Sequence, residues 1–130
     1  MTFYEKEVHR IRQSIYANQG QLDVVMAVRV YINHHYDDAN LNLDLLSHIH
    51  CMSKYHLLRL FKRYYGLTPR QYLMNKRIEQ SKEFLKNGLS VTETCFAVGF
   101  QSLGSFSTLF KNKTGKSPVQ FQKSNFQEAT

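Results

Sequence analysis

Apolar residues recur at three- and four-residue intervals through most of this chain, and the stripes they draw predict a series of helices. Tyr4, Val8, Ile11 and Ile15 fall at helical spacing ahead of Gly20, which predicts a short amphipathic N-terminal helix ending there. Val25, Val28, Ile32 and Tyr36 carry the next stripe, from Asp23 to the Asp37-Asp38-Ala39-Asn40 run, and read as core scaffold. Behind Asn42, a candidate N-cap, Leu43, Leu46 and Ile49 build a short helix that should stop near His50-Cys51-Met52. Ser53 then caps another, in which Leu57, Leu60, Phe61 and Tyr64 share one face and Tyr55, Leu58, Arg59 and Lys62 occupy a different one. Two short helices joined by about three residues are the signature of a helix-turn-helix.

Gly66 suits the left-handed position that stops a helix, and Thr68-Pro69 supplies a cap followed by proline at the first helical position. The helix that begins there has Met74, Ile78, Ser81 and Leu85 on its buried line and ends at Asn87-Gly88. At 1.5 Å per residue it is ~27 Å long, a rigid spacer. Ser90-Val91-Thr92-Glu93 has capping-box spacing and opens a further helix with Val91, Thr94, Cys95 and Val98 on one face. After a turn at Gly99-Phe100-Gln101, Ser102 caps a helix whose Phe106, Leu109, Phe110 and Lys113 follow the rows of Leu57, Leu60, Phe61 and Tyr64. Gly115 and Ser117-Pro118 repeat the stop and restart, and Val119 to Phe126 should form a closing helix.

The correspondence is an internal repeat. Ser53, Leu60, Phe61, Lys62, Gly66, Pro69 and Gln71 recur as Ser102, Leu109, Phe110, Lys111, Gly115, Pro118 and Gln120, each 49 positions later. The expected organisation is an N-terminal helix or linker over 1–21, a first helix-turn-helix subdomain over 22–67, a linker helix over 68–88, a second subdomain over 89–126, and a tail over 127–130. The fold class is all-α.

Composition supports this and adds a partner. With 130 residues, 42% hydrophobic, two prolines and six glycines, the chain can bury a core and is neither disordered nor built of strands and turns. Net charge is +7, unevenly spread: residues 1–50 carry a balance of −2 and the remaining 80 a balance of +9. A positive field on the repeat-bearing part is what binding to a phosphate backbone requires. No apolar run approaches the ~18 residues of a membrane span, and no signal-peptide core is present, so a cytoplasmic protein is expected. Cys51 and Cys95 read as small core hydrophobes in a reducing compartment.

The second helix of a helix-turn-helix fills the major groove, where each base pair displays a distinct donor and acceptor pattern. Tyr55, Leu58, Arg59 and Lys62 form the free face in the first unit; Arg59 is suited to bond guanine O6 and N7 together, and Lys62 to neutralise phosphate. In the second unit the free face is Leu103, Ser105, Ser107, Thr108 and Lys111, with small hydroxyls and no arginine. Gly104 in its first turn costs up to ~1 kcal/mol relative to alanine, for which close approach of DNA and a tolerated defect are equal explanations.

These residues resemble the DNA-binding domain of the AraC/XylS family of bacterial transcription regulators. The likeness spans residues 22 to 124 and rests on Ser53-Lys-Tyr-His-Leu-Leu-Arg-Leu-Phe-Lys, on Arg77-Ile78 and Leu85, on Val98-Gly99-Phe100-Gln101-Ser102, on Phe106 to Lys111, and on Gly115 and Pro118. It implies two homeodomain-like helix-turn-helix subdomains in tandem, joined by one long helix and entering successive major-groove segments ~34 Å apart, with bending of the DNA. It makes Tyr55, Leu58 and Arg59, then Leu103, Gly104, Ser105, Ser107 and Thr108, the base-reading positions. Phosphate contacts fall to Ser53, Lys54, Lys62, Ser102 and Lys111. Thr108 replaces a common arginine, and Leu103-Gly104 replace polar residues, so the second unit is expected to read sequence more weakly. Without room for a sensing and dimerising domain, the chain resembles the minimal single-domain type, which implies a monomer on double-stranded DNA that activates transcription by touching RNA polymerase. The initial Met favours a complete protein over a fragment of a larger effector-responsive regulator. Asp37, Asp38 and Asp44 offer a polymerase contact, a solvated loop being the plainer reading.

Other functions fit less well. His48, His50 and Cys51, with His34 and His35 nearby, invite a metal, but three ligands within four consecutive positions at a helix end have awkward geometry, and no metal or cofactor is expected. No phosphate loop, carboxylate pair or activated nucleophile marks an enzyme. Eight tyrosines and nine phenylalanines suit base stacking on single-stranded RNA, yet their helical spacing assigns most to the core. The remaining competitors are a non-specific architectural DNA binder and a helical module that binds a partner through its N-terminal helix.

Overall fold

The computed structural model describes residues 2–129, with side chains outside 14–18 and 127–129. Seven α-helices and no strand are present among the described residues: α1 (Phe3–His35), α2 (Leu43–Ile49), α3 (Lys54–Tyr65), α4 (Pro69–Lys86), α5 (Val91–Ala97), α6 (Leu103–Thr114) and α7 (Pro118–Ala129). The all-α class, two helix-turn-helix pairs joined by a long helix, is the observed one.

Gly20 does not end a helix. The two helices expected on either side of it are one, α1, which is 33 residues long. Glycine inside a helix weakens it by about 1 kcal/mol without stopping it, and none of the positive-φ glycines is Gly20. The start of α1 is fixed by a reciprocal capping box: the Glu5 N–H donates to the Thr2 hydroxyl at 3.2 Å, and the Thr2 N–H donates to the Glu5 carboxylate at 3.1 Å. Ile15 lies outside the described side chains. At the other end of the chain, α7 runs on to Ala129, so residues 127–129 are helix where a tail was expected.

By compactness the chain divides into Met1–Tyr31 with Leu43–Pro69, and Ile32–Asn42 with Arg70–Thr130. This differs from the linear division at 67 and 88, because the loop after α1 bonds to α4. In the first unit Val25, Val28, Leu46, Leu57, Leu60 and Phe61 are buried. In the second, Ile78, Leu85, Cys95, Val98, Phe100, Phe106 and Phe110 form one cluster, against which Tyr36, Met74, Leu109 and Phe121 pack. Three of its rings form a chain of contacts, Phe100 to Phe106 at 5.2 Å and Phe106 to Phe110 at 5.7 Å between centroids.

Ile49, Cys51 and Tyr64, all expected in the core, are exposed. Ile49 is 40% exposed, since α2 ends with it and only Leu46 of that helix is fully buried. Cys51 is exposed, because it occupies the left-handed turn position, with φ of 52°. Cys95 is buried, as expected.

Candidate nucleic-acid interface

Each helix pair is built by the same local chemistry. In the first, the Met52 N–H donates to the Ser47 carbonyl at 3.0 Å and the Cys51 N–H to the His48 carbonyl at 3.3 Å, closing α2 with a left-handed residue at Cys51. In the second, the Phe100 N–H donates to the Cys95 carbonyl at 3.1 Å and the Gly99 N–H to the Phe96 carbonyl at 3.2 Å, with Gly99 left-handed. These turns correspond at a separation of 48, whereas the recognition helices correspond at 49. Gln101 is therefore one additional residue between turn and cap in the second pair, and Cys51 is the structural counterpart of Gly99.

The caps then restart the chain alike. The Ser53 hydroxyl accepts from the His56 N–H at 3.2 Å, and the Ser102 hydroxyl accepts from the Ser105 N–H at 3.3 Å. Gly66 and Gly115 end α3 and α6 in the left-handed region, each N–H donating at 2.8 Å to the carbonyl of Lys62 and Lys111 respectively. The repeated glutamine also gains a reason at Gln120, whose side-chain oxygen accepts from the Ser117 N–H at 3.0 Å in the capping box that opens α7.

On α3 the burial of Leu57, Leu60 and Phe61 turns the opposite side outward. Tyr55 is 67% exposed, Lys54, Arg59 and Lys62 are exposed, and Leu58 is half-buried. Tyr64, expected on the buried row, is exposed. Lys54 is partly engaged: its Nζ lies 3.3 Å from an Asp44 carboxylate oxygen and 5.6 Å from the Tyr55 ring centroid. Behind α3, the Arg29 guanidinium stands 5.3 Å from the Tyr65 ring centroid. His50 of the histidine and cysteine cluster donates from Nδ1 to the Leu46 carbonyl at 2.8 Å, which uses that nitrogen to close the helix.

On α6 the burial of Phe106 and Phe110 leaves Leu103, Gly104, Ser105, Thr108 and Lys111 exposed and Ser107 half-buried. A Cβ on Gly104 would meet only the Ser102 hydroxyl, at 3.8 Å, so packing within the chain does not demand glycine there. Gly99 is different: a Cβ would lie 2.8 Å from the Tyr36 carbonyl oxygen and 3.0 Å from Arg77 Nε.

Arg77 carries weight that spacing did not reveal. It is 4% exposed, with Nε donating to the Tyr36 carbonyl at 2.7 Å and Nη2 donating to the Asp38 carbonyl at 2.8 Å. Its guanidinium lies 5.6 Å from the Phe100 ring centroid. Burial lowers its pKa from the ordinary value, Asp38 opposes that, and Arg70 reinforces it. The residue thus ties the loop after α1 and the turn of the second pair to the middle of α4.

Residues 46–124 match the family model described as a helix-turn-helix domain, a stretch that begins within α2 and runs through α3, α4, α5 and α6 into α7. The chain belongs to the AraC/XylS family. A helix-turn-helix transcriptional regulator of Pseudoalteromonas carrageenovora is 34% identical over 77% of this chain and 59% of its own length. The bifunctional transcriptional activator and DNA repair enzyme AdaA of Bacillus subtilis is 32% identical over 77% of this chain and 47% of its own length. Among solved structures, the C-terminal domain of AraT, a response regulator from Geobacillus stearothermophilus, superposes with a TM-score of 0.76 at 29% identity, covering 78% of this chain and 84% of that one. The chain thus spans about half the length of these curated relatives, and 84% of the AraT C-terminal domain.

Proposed function

We propose that this chain is a sequence-specific double-stranded-DNA-binding transcription regulator, an activator, that inserts α3 and α6 into successive major-groove segments. One observation carries the reading: two pairs built with the same turn and cap each present an exposed, acid-free helix face, on the part of the chain whose charge balance is +9. Tyr55, Leu58 and Arg59 read bases from α3. Arg59 is the specific reader, since a guanidinium bonds two acceptors of guanine together. Leu103, Gly104, Ser105, Ser107 and Thr108 face the groove from α6, where Gly104 lets a sugar-phosphate backbone approach. Lys62 and Lys111 neutralise phosphates, and so does Lys54 once its exposed pair with Asp44 opens. Ser53 and Ser102 keep a hydroxyl proton to give a phosphate oxygen, because both act as acceptors toward their own helices. An acidic contact with RNA polymerase would serve activation, and Asp37, Asp38 and Asp44 are the candidates for it. No described helix is long and apolar enough to cross a membrane, and a nucleoid protein needs none.

Selection of bound fragments from random duplex, followed by titration of the selected site and of scrambled duplex across salt, tests the proposal. The site should be preferred by roughly 10³ or more at physiological salt. Equal affinity for both duplexes, with a steep salt dependence, would identify an architectural DNA binder instead.

A further inference from the structure

Between the first turns of α4 and the flank of α6, within the second unit, lies a cleft of about 370 Å³. Ser105, Leu109 and Lys113 reach it at four-residue spacing along α6, and Arg70 and Met74 do so along α4. Its floor is apolar: Phe100 is buried, and Met74 and Leu109 pack half-buried against the same core. Its rim is cationic. Arg70 and Lys113 are exposed, neither forms an ion pair among the described residues, and no acid among those residues lines the cleft. A third positive charge stands behind the floor, where the Arg77 guanidinium, 4% exposed and bonded to two backbone carbonyls, lies 5.6 Å from the Phe100 ring centroid. The repeat marks Lys113 as the departure, since the row that closes on Tyr64 in the first unit closes, 49 positions later, on a cation.

We propose that this cleft binds an organic monocarboxylate with a compact apolar body, and that the occupied cleft shuts the adjacent face of α6 to DNA. The body covers Met74, Phe100 and Leu109, and the carboxylate meets the charges of Arg70 and Lys113. A concave apolar floor with a few polar groups at its edge, in this range of volume, is the form of a small-ligand site. A phosphate backbone, charged along its whole length, uses the cations and has no use for the floor. Ser105 belongs both to the cleft and to the face assigned to base reading, so ligand and DNA compete for it. That second step rests on α6 being a recognition helix; the binding step does not.

Heteronuclear NMR titration of the full chain with naphthoate, without DNA, tests the binding step. Amide shifts should saturate and cluster at Arg70, Met74, Ser105, Leu109 and Lys113. The neutral amide of the same acid should bind about tenfold more weakly. Arg70→Gln combined with Lys113→Gln should weaken naphthoate binding by about as much and leave binding of the amide unchanged, which a collapsed cleft would not do. On the wild type, naphthoate at ten times its Kd should weaken duplex binding about tenfold, and on the double variant the same concentration should weaken it no more than about twofold. Shifts that do not saturate, shifts spread over other surfaces, or equal binding of acid and amide overturn the site. So does a double variant that loses duplex affinity when the wild type binds no naphthoate, which would make the cleft a seat for the phosphate backbone. Saturable binding that leaves duplex affinity unchanged overturns the competition at α6. A wild type that binds naphthoate and no duplex overturns the recognition-helix reading instead, and the titration without DNA keeps the two failures apart.

Discussion

Arg77 Nε donates to the Tyr36 carbonyl oxygen at 2.7 Å, across 41 residues of sequence. With the second bond to Asp38 this makes the loop after α1 part of the second unit. Arg77→Met keeps most of the buried volume but leaves two carbonyl oxygens without their donor. It should cost about 2–4 kcal/mol in urea unfolding. Arg77→Lys should recover only part of this, having no fork to reach both carbonyls. A loss under about 1 kcal/mol for Arg77→Met would mean that solvent replaces the guanidinium freely.

The same carbonyl limits what can stand at position 99. Gly99→Ala must hold a φ of 101° and place its Cβ 2.8 Å from the Tyr36 oxygen. Gly115→Ala meets nothing within 4 Å at a φ of 84° and bears only the left-handed penalty, about 1–2 kcal/mol. Gly99→Ala should be the more damaging by a clear margin in thermal unfolding. At Cys51, the counterpart of Gly99, the reverse change Cys51→Gly relieves a left-handed residue and should be neutral or mildly stabilising. Equal effects of the two alanine variants would show that the loop moves aside.

Fold and site were legible in different measure. Helix starts and stops were plain wherever a capping serine or a terminating glycine stood beside a stripe, as at Ser53, Gly66, Ser102 and Gly115. The exposed face of α3 followed directly, because burial of Leu57, Leu60 and Phe61 fixes it. Gly20 misled because a glycine can be tolerated within a helix as well as end one. Gln101 stayed hidden because the identical residues that anchor the repeat begin only after the turn. Arg77 could not be assigned a bond, since carbonyl acceptors 39 and 41 residues away leave no pattern in side-chain chemistry.

The two cysteines should separate by accessibility. Cys51 is exposed at a turn and Cys95 is fully buried, where desolvation also raises its thiol pKa. A thiol reagent at neutral pH should label one site promptly and the second only on unfolding, since the thiolate is the reacting species. Peptide mass mapping identifies the site; early modification of Cys95 would show that the second core opens readily.

Within the second core, Thr94 is fully buried and its hydroxyl has no hydrogen-bond partner. Thr94→Val removes the hydroxyl while keeping the branched shape, so the desolvation cost of an unmade bond disappears. Stability should rise by about 1 kcal/mol in urea unfolding. A destabilised Thr94→Val would show instead that the hydroxyl bonds in solution.

Arg59 and Lys111 should separate reading from holding. Both are exposed and both carry one charge, so a purely electrostatic interface would treat their loss alike. If Arg59 bonds a guanine edge, Arg59→Ala should cost about 1–3 kcal/mol on the preferred site, relax preference at one base position, and cost much less on scrambled duplex. Lys111→Ala should weaken both duplexes to the same degree and lower the salt slope by roughly one. Competition binding with site variants, one base pair changed at a time, distinguishes the two. Uniform loss on every duplex for Arg59→Ala would remove it from base reading, and Tyr55 and Leu58 would then be the remaining readers on α3.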